Sequence, residues 1–109
     1  MITYFLNKKY NIYRAEYLRN GLGETVSWSL ADVIRAKIEP AYGEEFLESE
    51  NGDSIKISLI IYSKSEFFAG DRIYLKGGWF EIRHREYYQM PFIGYWKGYL
   101  VKCDEKLSV

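Results

Sequence analysis

GDRIYLKGGWFEIR, residues 70–83, decides the fold class of this 109-residue chain. Two segments in which apolar and polar residues alternate are joined by Gly77 and Gly78. Glycine reaches the positive φ angles that a two-residue hairpin turn requires, so the stretch predicts an antiparallel hairpin that turns at this pair. With that turn, Lys76 faces Trp79.

The alternation sorts the side chains of this hairpin onto two faces, because successive residues of a strand point in opposite directions. One face is apolar and contains Ile73, Leu75, Phe80 and Ile82. The other face contains Arg72, Tyr74, Lys76, Trp79, Glu81 and Arg83. Counting outward from the glycines pairs Leu75 with Phe80, Tyr74 with Glu81, Ile73 with Ile82 and Arg72 with Arg83. We expect the first face to build a core and the second to be exposed or to contact a partner.

Other segments also show strand patterns. Residues 33–39 and 54–62 alternate, and their predicted inward residues are Ile34, Ala36, Ile38, Ile55, Ile57, Leu59 and Ile61. Residues 12–18 and 24–30 flank a glycine-rich turn, which predicts another hairpin with Trp28 as its anchor. Residues 95–104 predict a closing strand with a bulge at Gly98, which would let Lys97 and Lys102 both reach water.

These segments predict an all-β chain of six or seven short antiparallel strands. A small β-barrel is the expected arrangement, since closure removes exposed strand edges. A long acidic loop should occupy residues 40–53. One or two helical turns within residues 41–50 are the alternative, but the glutamates there spread around too much of a helix. We expect one domain over residues 11–104, an N-terminal arm over 1–10 and a tail over 105–109.

Charge and cysteine content limit the function classes. Fifteen basic and fifteen acidic residues cancel, which disfavours strong non-specific binding to nucleic acid or to an anionic membrane. The single cysteine, Cys103, excludes an internal disulfide and fits a reducing cytoplasmic origin. No apolar run approaches the roughly 20 residues of a membrane span, so we expect no membrane partner.

The residues show no catalytic or cofactor motif. His84 lies between two arginines and is interpreted as a surface strand residue, and Cys103 has no neighbouring base and is interpreted as a core residue. The glutamates of residues 44–53 do not follow the spacing of a calcium loop, and the glycine pairs do not match a phosphate-binding loop. We therefore expect no enzyme activity, no metal and no cofactor.

Aromatic residues are abundant at 18% of the chain, with eleven tyrosines. Tyrosine suits both strands and interfaces, so a β-rich fold alone would explain this content. Aromatic and basic residues occur together in residues 83–88 and 95–97, which leaves an oligonucleotide-binding barrel as one alternative. Glu81 and Glu86 interrupt that basic pattern. Residues 91–93 indicate instead an apolar loop tip that another protein covers.

The order of segments over residues 12–104 resembles the phage head-tail joining family, which includes head-closure (stopper) proteins. The match begins with the glycines near residue 22 and Trp28, continues through AKIEP at 36–40 and GEE at 43–45, and includes residues 57–62. It then includes GDRI at 70–73, the residues around Trp79, and YLVKC at 99–103. The resemblance implies a small β-barrel whose copies form a ring between the portal, or an adaptor ring on it, and the tail.

The resemblance also implies partners and a location. Copies of the chain would be monomeric when isolated and dodecameric on the connector, in contact with portal or adaptor and with a tail or tail-terminator protein. Packaged double-stranded DNA would occupy the channel, and the protein would be made in the bacterial host cytoplasm and reside in the virion. A connector adaptor or a tail-terminator ring is the nearest alternative.

In stopper members a long loop enters the channel and blocks DNA exit, and the matching interval here is residues 40–53. Its DNA-facing candidates are Glu44, Glu45, Glu48, Glu50 and Asp53. Two segments, residues 1–10 and 87–96, are not typical of the family and are expected to contact neighbours. A ring needs two different surfaces of each subunit to meet. Our candidates for that interface are Tyr74, Trp79, Tyr88, Phe92, Tyr95 and Trp96.

Overall fold

The computed structural model describes residues 8–21, 23–41, 46–48 and 54–103. All regular structure in these ranges is β-strand, and they contain no helix. The strands are β1 (Lys8–Asn20), β2 (Gly23–Pro40), β3 (Phe46–Glu48), β4 (Ser54–Lys56), β5 (Leu59–Ser63), β6 (Arg72–Leu75), β7 (Gly78–Gln89) and β8 (Gly94–Lys102). The predicted all-β class is confirmed, although β1, β2 and β7, at 13, 18 and 12 residues, are not short.

Six of the strands form one antiparallel sheet in the order β1-β2-β5-β8-β7-β6. The two strands at the ends of this order, β1 and β6, pair with each other at Tyr13 and Arg72. The strand order therefore runs in a closed circle. A separate two-stranded sheet joins β3 to β4, with Glu48 opposite Ser54.

The predicted strand over residues 54–62 is interrupted. β4 ends at Lys56 and belongs to the small sheet, whereas β5 begins at Leu59 and belongs to the large one. Between them, the backbone N–H of Ser58 donates to the carbonyl of Leu100 at 2.9 Å. The interval predicted as a loop also contains β3, so that part of it is strand.

The core of the large sheet consists of side chains that alternate along its strands, together with Phe67 from the segment between β5 and β6. Its buried members are Ile12, Ile34, Ala36, Ile61, Phe67, Ile73, Phe80, Ile82 and Leu100. The inward placement predicted for residues 34, 36, 61, 73, 80 and 82 is confirmed. Ile38, Leu59 and Leu75 are only partly buried and pack at the margin of this cluster.

The register predicted for the opening hairpin is wrong by two residues. Arg72 pairs with Glu81, Ile73 with Phe80, Tyr74 with Trp79 and Leu75 with Gly78. The turn lies at Lys76 and Gly77, whose φ angles are 50° and 78°, and β7 begins at Gly78. Both turn residues have positive φ, as a type I′ turn requires. A shift of two residues preserves the face of every side chain, and for that reason the two predicted faces are still correct.

The bulge predicted at Gly98 is also wrong. Gly98 pairs regularly with Ile61 and Arg85, and the irregularity of this hairpin lies in β7, between Ile82 and His84. A Cβ atom at position 98 would lie 2.6 Å from the Phe67 ring. The glycine is needed there because the phenyl ring packs directly on the backbone.

Two hairpins extend past the rest of the sheet. β2 pairs with β5 only over residues 36–40, and β8 pairs with β5 only over residues 96–100. Past the pairs that Arg72 makes with Tyr13 and Glu81, residues 14–20 and 23–31 pair only with each other, and β7 pairs only with β8. We call these ends the first arm (residues 14–31) and the second arm (residues 83–95). Both arms extend from the end of the sheet at which β5 stops. Ser63, the last residue of β5, pairs with Ala36 of β2 and with Trp96 of β8.

Candidate interaction surfaces

The segment between β5 and β6 is anchored by a buried carboxylate. Asp71 is 1% exposed and accepts two hydrogen bonds from the Arg14 guanidinium, at 2.8 and 2.9 Å. It also accepts one from the backbone N–H of Phe68 at 2.9 Å. The hydrogen bond to Asp71 raises the pKa of Arg14 above its ordinary value. This segment is therefore fixed to β1, at the base of the first arm.

The same segment also contacts the second arm. The guanidinium groups of Arg14 and Arg85 each lie over the Phe68 ring, at 4.7 and 4.6 Å from its centroid. Arg85 in addition lies 4.4 Å from the Trp96 centroid and forms a 2.6 Å ion pair with Glu66. Phe68 thus connects an arginine of one arm with an arginine of the other through cation–π contacts.

A cleft of about 460 Å³ lies between the first arm and this segment; we call it the Trp28 cleft. Its lining is Arg14, Ala15, Tyr17, Trp28, Phe68, Ala69, Gly70, Asp71, Arg72 and Glu81. The guanidinium of Arg72 lies 4.3 Å from the Trp28 centroid, and its Nε donates to Glu81 at 3.2 Å. The side chain of Arg72 therefore connects Trp28, on the first arm, with β6 and β7.

Three aromatic side chains, Tyr13, Tyr74 and Trp79, form what we call the Trp79 patch. The Trp79 ring meets Tyr13 edge-on at 5.2 Å and Tyr74 at 5.1 Å. Tyr74 is 54% exposed. Next to the patch lies a second cleft of about 510 Å³, which Lys9, Tyr10 and Asn11 also line. β1, β6 and the start of β7 supply this surface.

A second aromatic surface, the tyrosine patch, contains Tyr62, Tyr88, Tyr95 and Tyr99 on β5, β7 and β8. Tyr88 and Tyr95 stack at 5.3 Å with an interplanar angle of 16°. The ammonium group of Lys97 lies 5.1 Å from the Tyr99 centroid and 6.0 Å from that of Tyr62. These residues share one face because they occupy alternate positions of paired strands.

A hydrogen bond at the margin of the tyrosine patch changes two pKa values. The Tyr88 hydroxyl donates to the Glu86 carboxylate, which raises the pKa of Tyr88 to about 12. The same bond lowers the pKa of Glu86. Burial by itself would lower the pKa of Lys97, but a hydrogen bond with Tyr99 and the neighbouring tyrosines raise it overall. Burial raises the pKa of Tyr62.

The end of the second arm is an apolar tip. Met90 and Ile93 close the turn through two backbone hydrogen bonds, of 2.8 and 3.3 Å. Phe92, inside this turn, is 97% exposed, and Met90 is 50% exposed. We call residues 90–93 the Phe92 tip. Residues 87–96, which we expect to contact neighbours, are thus the end of a regular hairpin.

The predicted interface residues do not form one surface. Tyr74 and Trp79 lie in the Trp79 patch, Tyr88 and Tyr95 lie in the tyrosine patch, and Phe92 is at the tip. Trp96 points to the opposite face from Tyr95 and meets the Tyr87 ring at 4.9 Å.

Four of the DNA-facing candidates, Glu44, Glu45, Glu50 and Asp53, are outside the described residues. The fifth, Glu48, ends β3. Their predicted role therefore stays a prediction.

His84 lies beside the tyrosine patch, and Cys103 lies beside the start of β7. His84 Nε2 is 3.3 Å from Glu86, and its ring lies 5.6 Å from that of Tyr99. The backbone N–H of Cys103 donates to the carbonyl of Trp79 at 2.8 Å. Within residues 8–21, 23–41, 46–48 and 54–103, no three histidine, cysteine or acidic residues are grouped as metal ligands would be. The same part of the chain contains no helix of the length and hydropathy that a membrane span needs.

Sequence reasoning missed the contacts that join the two arms. Arg14 and Asp71 are 57 positions apart, and no local pattern connects them. Phe67 and Phe68 are adjacent aromatic residues, a pattern that is visible in the sequence. Their different positions depend on the fold, because Phe67 is buried in the core whereas Phe68 lies between two arginines.

No model of a protein family matches this chain, and no curated protein matches its sequence.

Proposed function

We propose that this chain is a non-enzymatic structural protein of the bacteriophage head-tail connector. In this proposal, copies of the chain form a head-completion ring that joins the portal, or an adaptor ring on it, to the tail. The ring retains packaged double-stranded DNA and becomes part of the virion after synthesis in the host cytoplasm. The order of sequence segments supports the proposal through the family resemblance.

The observation that carries the proposal is the presence of two separate aromatic patches on one small sheet. The Trp79 patch and the tyrosine patch are separated along β7 by the ion-paired residues Glu81 and Arg83. From Trp79 to Tyr88 the strand covers about 30 Å at its usual rise per residue. A ring subunit needs two different surfaces that meet on neighbouring copies, and aromatic side chains often anchor such contacts.

The closed order of strands supports a small barrel as the body of each subunit. In this proposal, the arms extend from one end of the barrel, and the Phe68 contacts hold them in a fixed relation. A rigid body of this kind suits a ring, because each subunit must present its two contact surfaces at a constant angle.

The acidic segment, residues 40–53, is proposed to face the DNA. Carboxylates that line a narrow channel repel phosphate, so they would retain DNA without adhesion and let it pass when the segment moves. The substitution of Glu44, Glu45 and Glu48 together by Gln should then change DNA retention or ejection while ring assembly is preserved. A Glu16→Gln variant is the control, because Glu16 lies on the first arm. Unchanged retention and ejection in the triple variant would contradict the channel role.

The decisive experiment is the deletion of the gene from a phage genome that encodes the chain. We expect DNA-filled heads and complete tails that do not join, with joining restored when the intact chain is supplied from a plasmid. Normal virions after the deletion would overturn the proposal. Electron microscopy of the particles with the chain tagged would separate a closure ring from an adaptor or tail-terminator ring, because the three occupy different levels of the connector.

One observation favours a second candidate, an oligonucleotide-binding barrel. The stacked rings of Tyr88 and Tyr95 lie on the same face as Lys97, and stacked aromatics near a cation can hold unpaired bases. This candidate predicts salt-sensitive binding of single-stranded oligonucleotides that a Tyr88→Ala substitution weakens. A titration with labelled single strands at two salt concentrations tests it, and no binding at low salt would remove it.

A further inference from the structure

The geometry points to a specific contact between copies of this chain: the Phe92 tip of one copy inserts into the Trp28 cleft of the next. The inference deepens the proposed function and rests on it for the arrangement of copies in a ring. The contact itself is argued from the two surfaces alone.

The Phe92 tip is both exposed and ordered in the isolated chain. Phe92 is 97% exposed, and two backbone hydrogen bonds between Met90 and Ile93 close the turn that presents it. A turn that is already ordered loses little conformational entropy on binding. The tip contains no charged residue, so its burial leaves no charge without a partner.

The cleft offers a matching environment. Rings of Tyr17, Trp28 and Phe68 line it together with the small residues Ala15 and Ala69. Its volume of about 460 Å³ is in the range of pockets that enclose a ligand larger than one phenyl ring. The cleft also contains guanidinium groups that already stack on aromatic rings, and another ring can add to such a stack.

The charges of the cleft are balanced within one copy. Arg14 pairs with Asp71, and Arg72 pairs with Glu81 through its Nε, while Arg72 Nη1 is buried without a hydrogen-bond partner. A charged ligand would therefore have to compete with these ion pairs, whereas a neutral apolar tip leaves them intact. This balance favours the tip of a second copy over a nucleic acid or a charged peptide.

The two surfaces belong to different copies, because a side chain that is 97% exposed does not occupy its own cleft. Tip and cleft are different surfaces, so the contact is heterologous and repeats from copy to copy. One phenylalanine buries on the order of 150–250 Å², whereas a stable interface buries about 800 Å² on each partner. The contact alone is too small for a stable dimer, so it forms when copies are held side by side.

Disulfide trapping can test the contact, since it accumulates weak encounters. In a Cys103→Ser background, a chain with Met90→Cys and Ala69→Cys, which keeps the Phe92 ring, should form a ladder of cross-linked oligomers under mild oxidation. The matched control carries Arg19→Cys in place of Met90→Cys, because Arg19 is exposed near the end of the first arm. We expect cross-linking at least ten-fold faster for the tip variant than for the control. Equal rates, or no ladder, would overturn the inference.

A mixing experiment uses chains with one cysteine each, so its result does not depend on structural changes caused by two substitutions in the same chain. Chains with only Met90→Cys and chains with only Ala69→Cys are combined in equal amounts, and heterodimers should far exceed twice the amount of either homodimer. Heterodimers at twice the amount of each homodimer, the ratio that random pairing gives, would contradict the contact. If the ladder forms but gene deletion leaves head-tail joining intact, the contact stands and the connector function fails. If joining depends on the gene but no ladder forms, the reverse holds.

Discussion

The closed part of the sheet and the first arm share strand β2, yet its apolar residues are buried in one and exposed in the other. In the closed part, Ile34 and Ala36 are 1% and 0% exposed. In the arm, Val26 and Leu30 are 51% and 53% exposed. The difference teaches that alternation alone does not keep a residue on one face. The register of β1 and β2 shifts between Ile12 and Tyr13, so Leu30, opposite Tyr13, lies on the other face from Ile34. β5 pairs with β2 only at residues 36–40, so the arm has no third strand beside it.

The largest expected effect tests this comparison within one strand. Ile34→Ala should lower the free energy of unfolding by about 2–5 kcal/mol, because it leaves a cavity in the core. Leu30→Ala, in the arm, should change it by no more than about 0.5 kcal/mol. Urea denaturation followed by tryptophan fluorescence measures both. Similar losses for the two variants would show that the arm is covered in solution.

The second test concerns the carboxylates that hold the two arms. Asp71→Ala should cost about 2–4 kcal/mol, since it removes a buried acceptor from Arg14 and from the Phe68 amide. Glu66→Ala should cost no more than about 1 kcal/mol, because Glu66 pairs with Arg85 at the exposed surface. The same denaturation experiment applies. A larger loss of stability for Glu66→Ala than for Asp71→Ala would contradict our assignment of Asp71 as the anchor of the segment between β5 and β6.

The third test compares two glycines. Gly98→Ala should lower stability by about 1–3 kcal/mol, because its Cβ would meet the Phe67 ring and force repacking. Gly21→Ala, at the turn of the first arm, has nothing within 4 Å of the new Cβ and should be nearly neutral. Thermal unfolding of both variants provides the measurement. A neutral Gly98→Ala would mean that the ring moves away freely.

The smallest expected effect lies on the second arm and depends on pH. Absorbance titration should show Tyr88 ionising at about 12, against the ordinary 10.0, and Glu86→Gln should shift this ionisation toward the ordinary value. Because the folded pKa is the higher one, the stabilising contribution is complete below the unfolded pKa and is lost as the pH rises toward about 12. For Glu86 the folded pKa is lowered, so its contribution is lost when the pH falls through that pKa.

Normal ionisation of Tyr88 in the unsubstituted chain would contradict the hydrogen bond to Glu86. The matched control is Tyr87→Phe, since Tyr87 lies next to Tyr88 but on the opposite face of β7, where its hydroxyl donates to Gln89.

Much of the fold could be predicted because strand alternation is a local property. The inward residues of β2, β6 and β7 were predicted correctly. The two faces of the opening hairpin were also correct, although its turn was predicted one residue too late. The turn was predicted at Gly77 and Gly78 because glycine favours positive φ angles. In the structure Lys76 adopts a φ of 50°, the turn lies at Lys76 and Gly77, and β7 begins at Gly78. The candidate interface residues were predicted as one set, but they lie on different faces and on a tip.

The sequence by itself determined the all-β class, the two faces of the opening hairpin and the position of the turn between β1 and β2, since these depend on neighbours along the chain. Tertiary structure decided what lies beside those faces. The pairing of β1 with β6, the Arg14–Asp71 anchor, the Phe67 ring on Gly98 and the Trp28 cleft each join residues far apart in the chain. Such contacts are selected by packing and charge pairing in three dimensions, which no local period encodes.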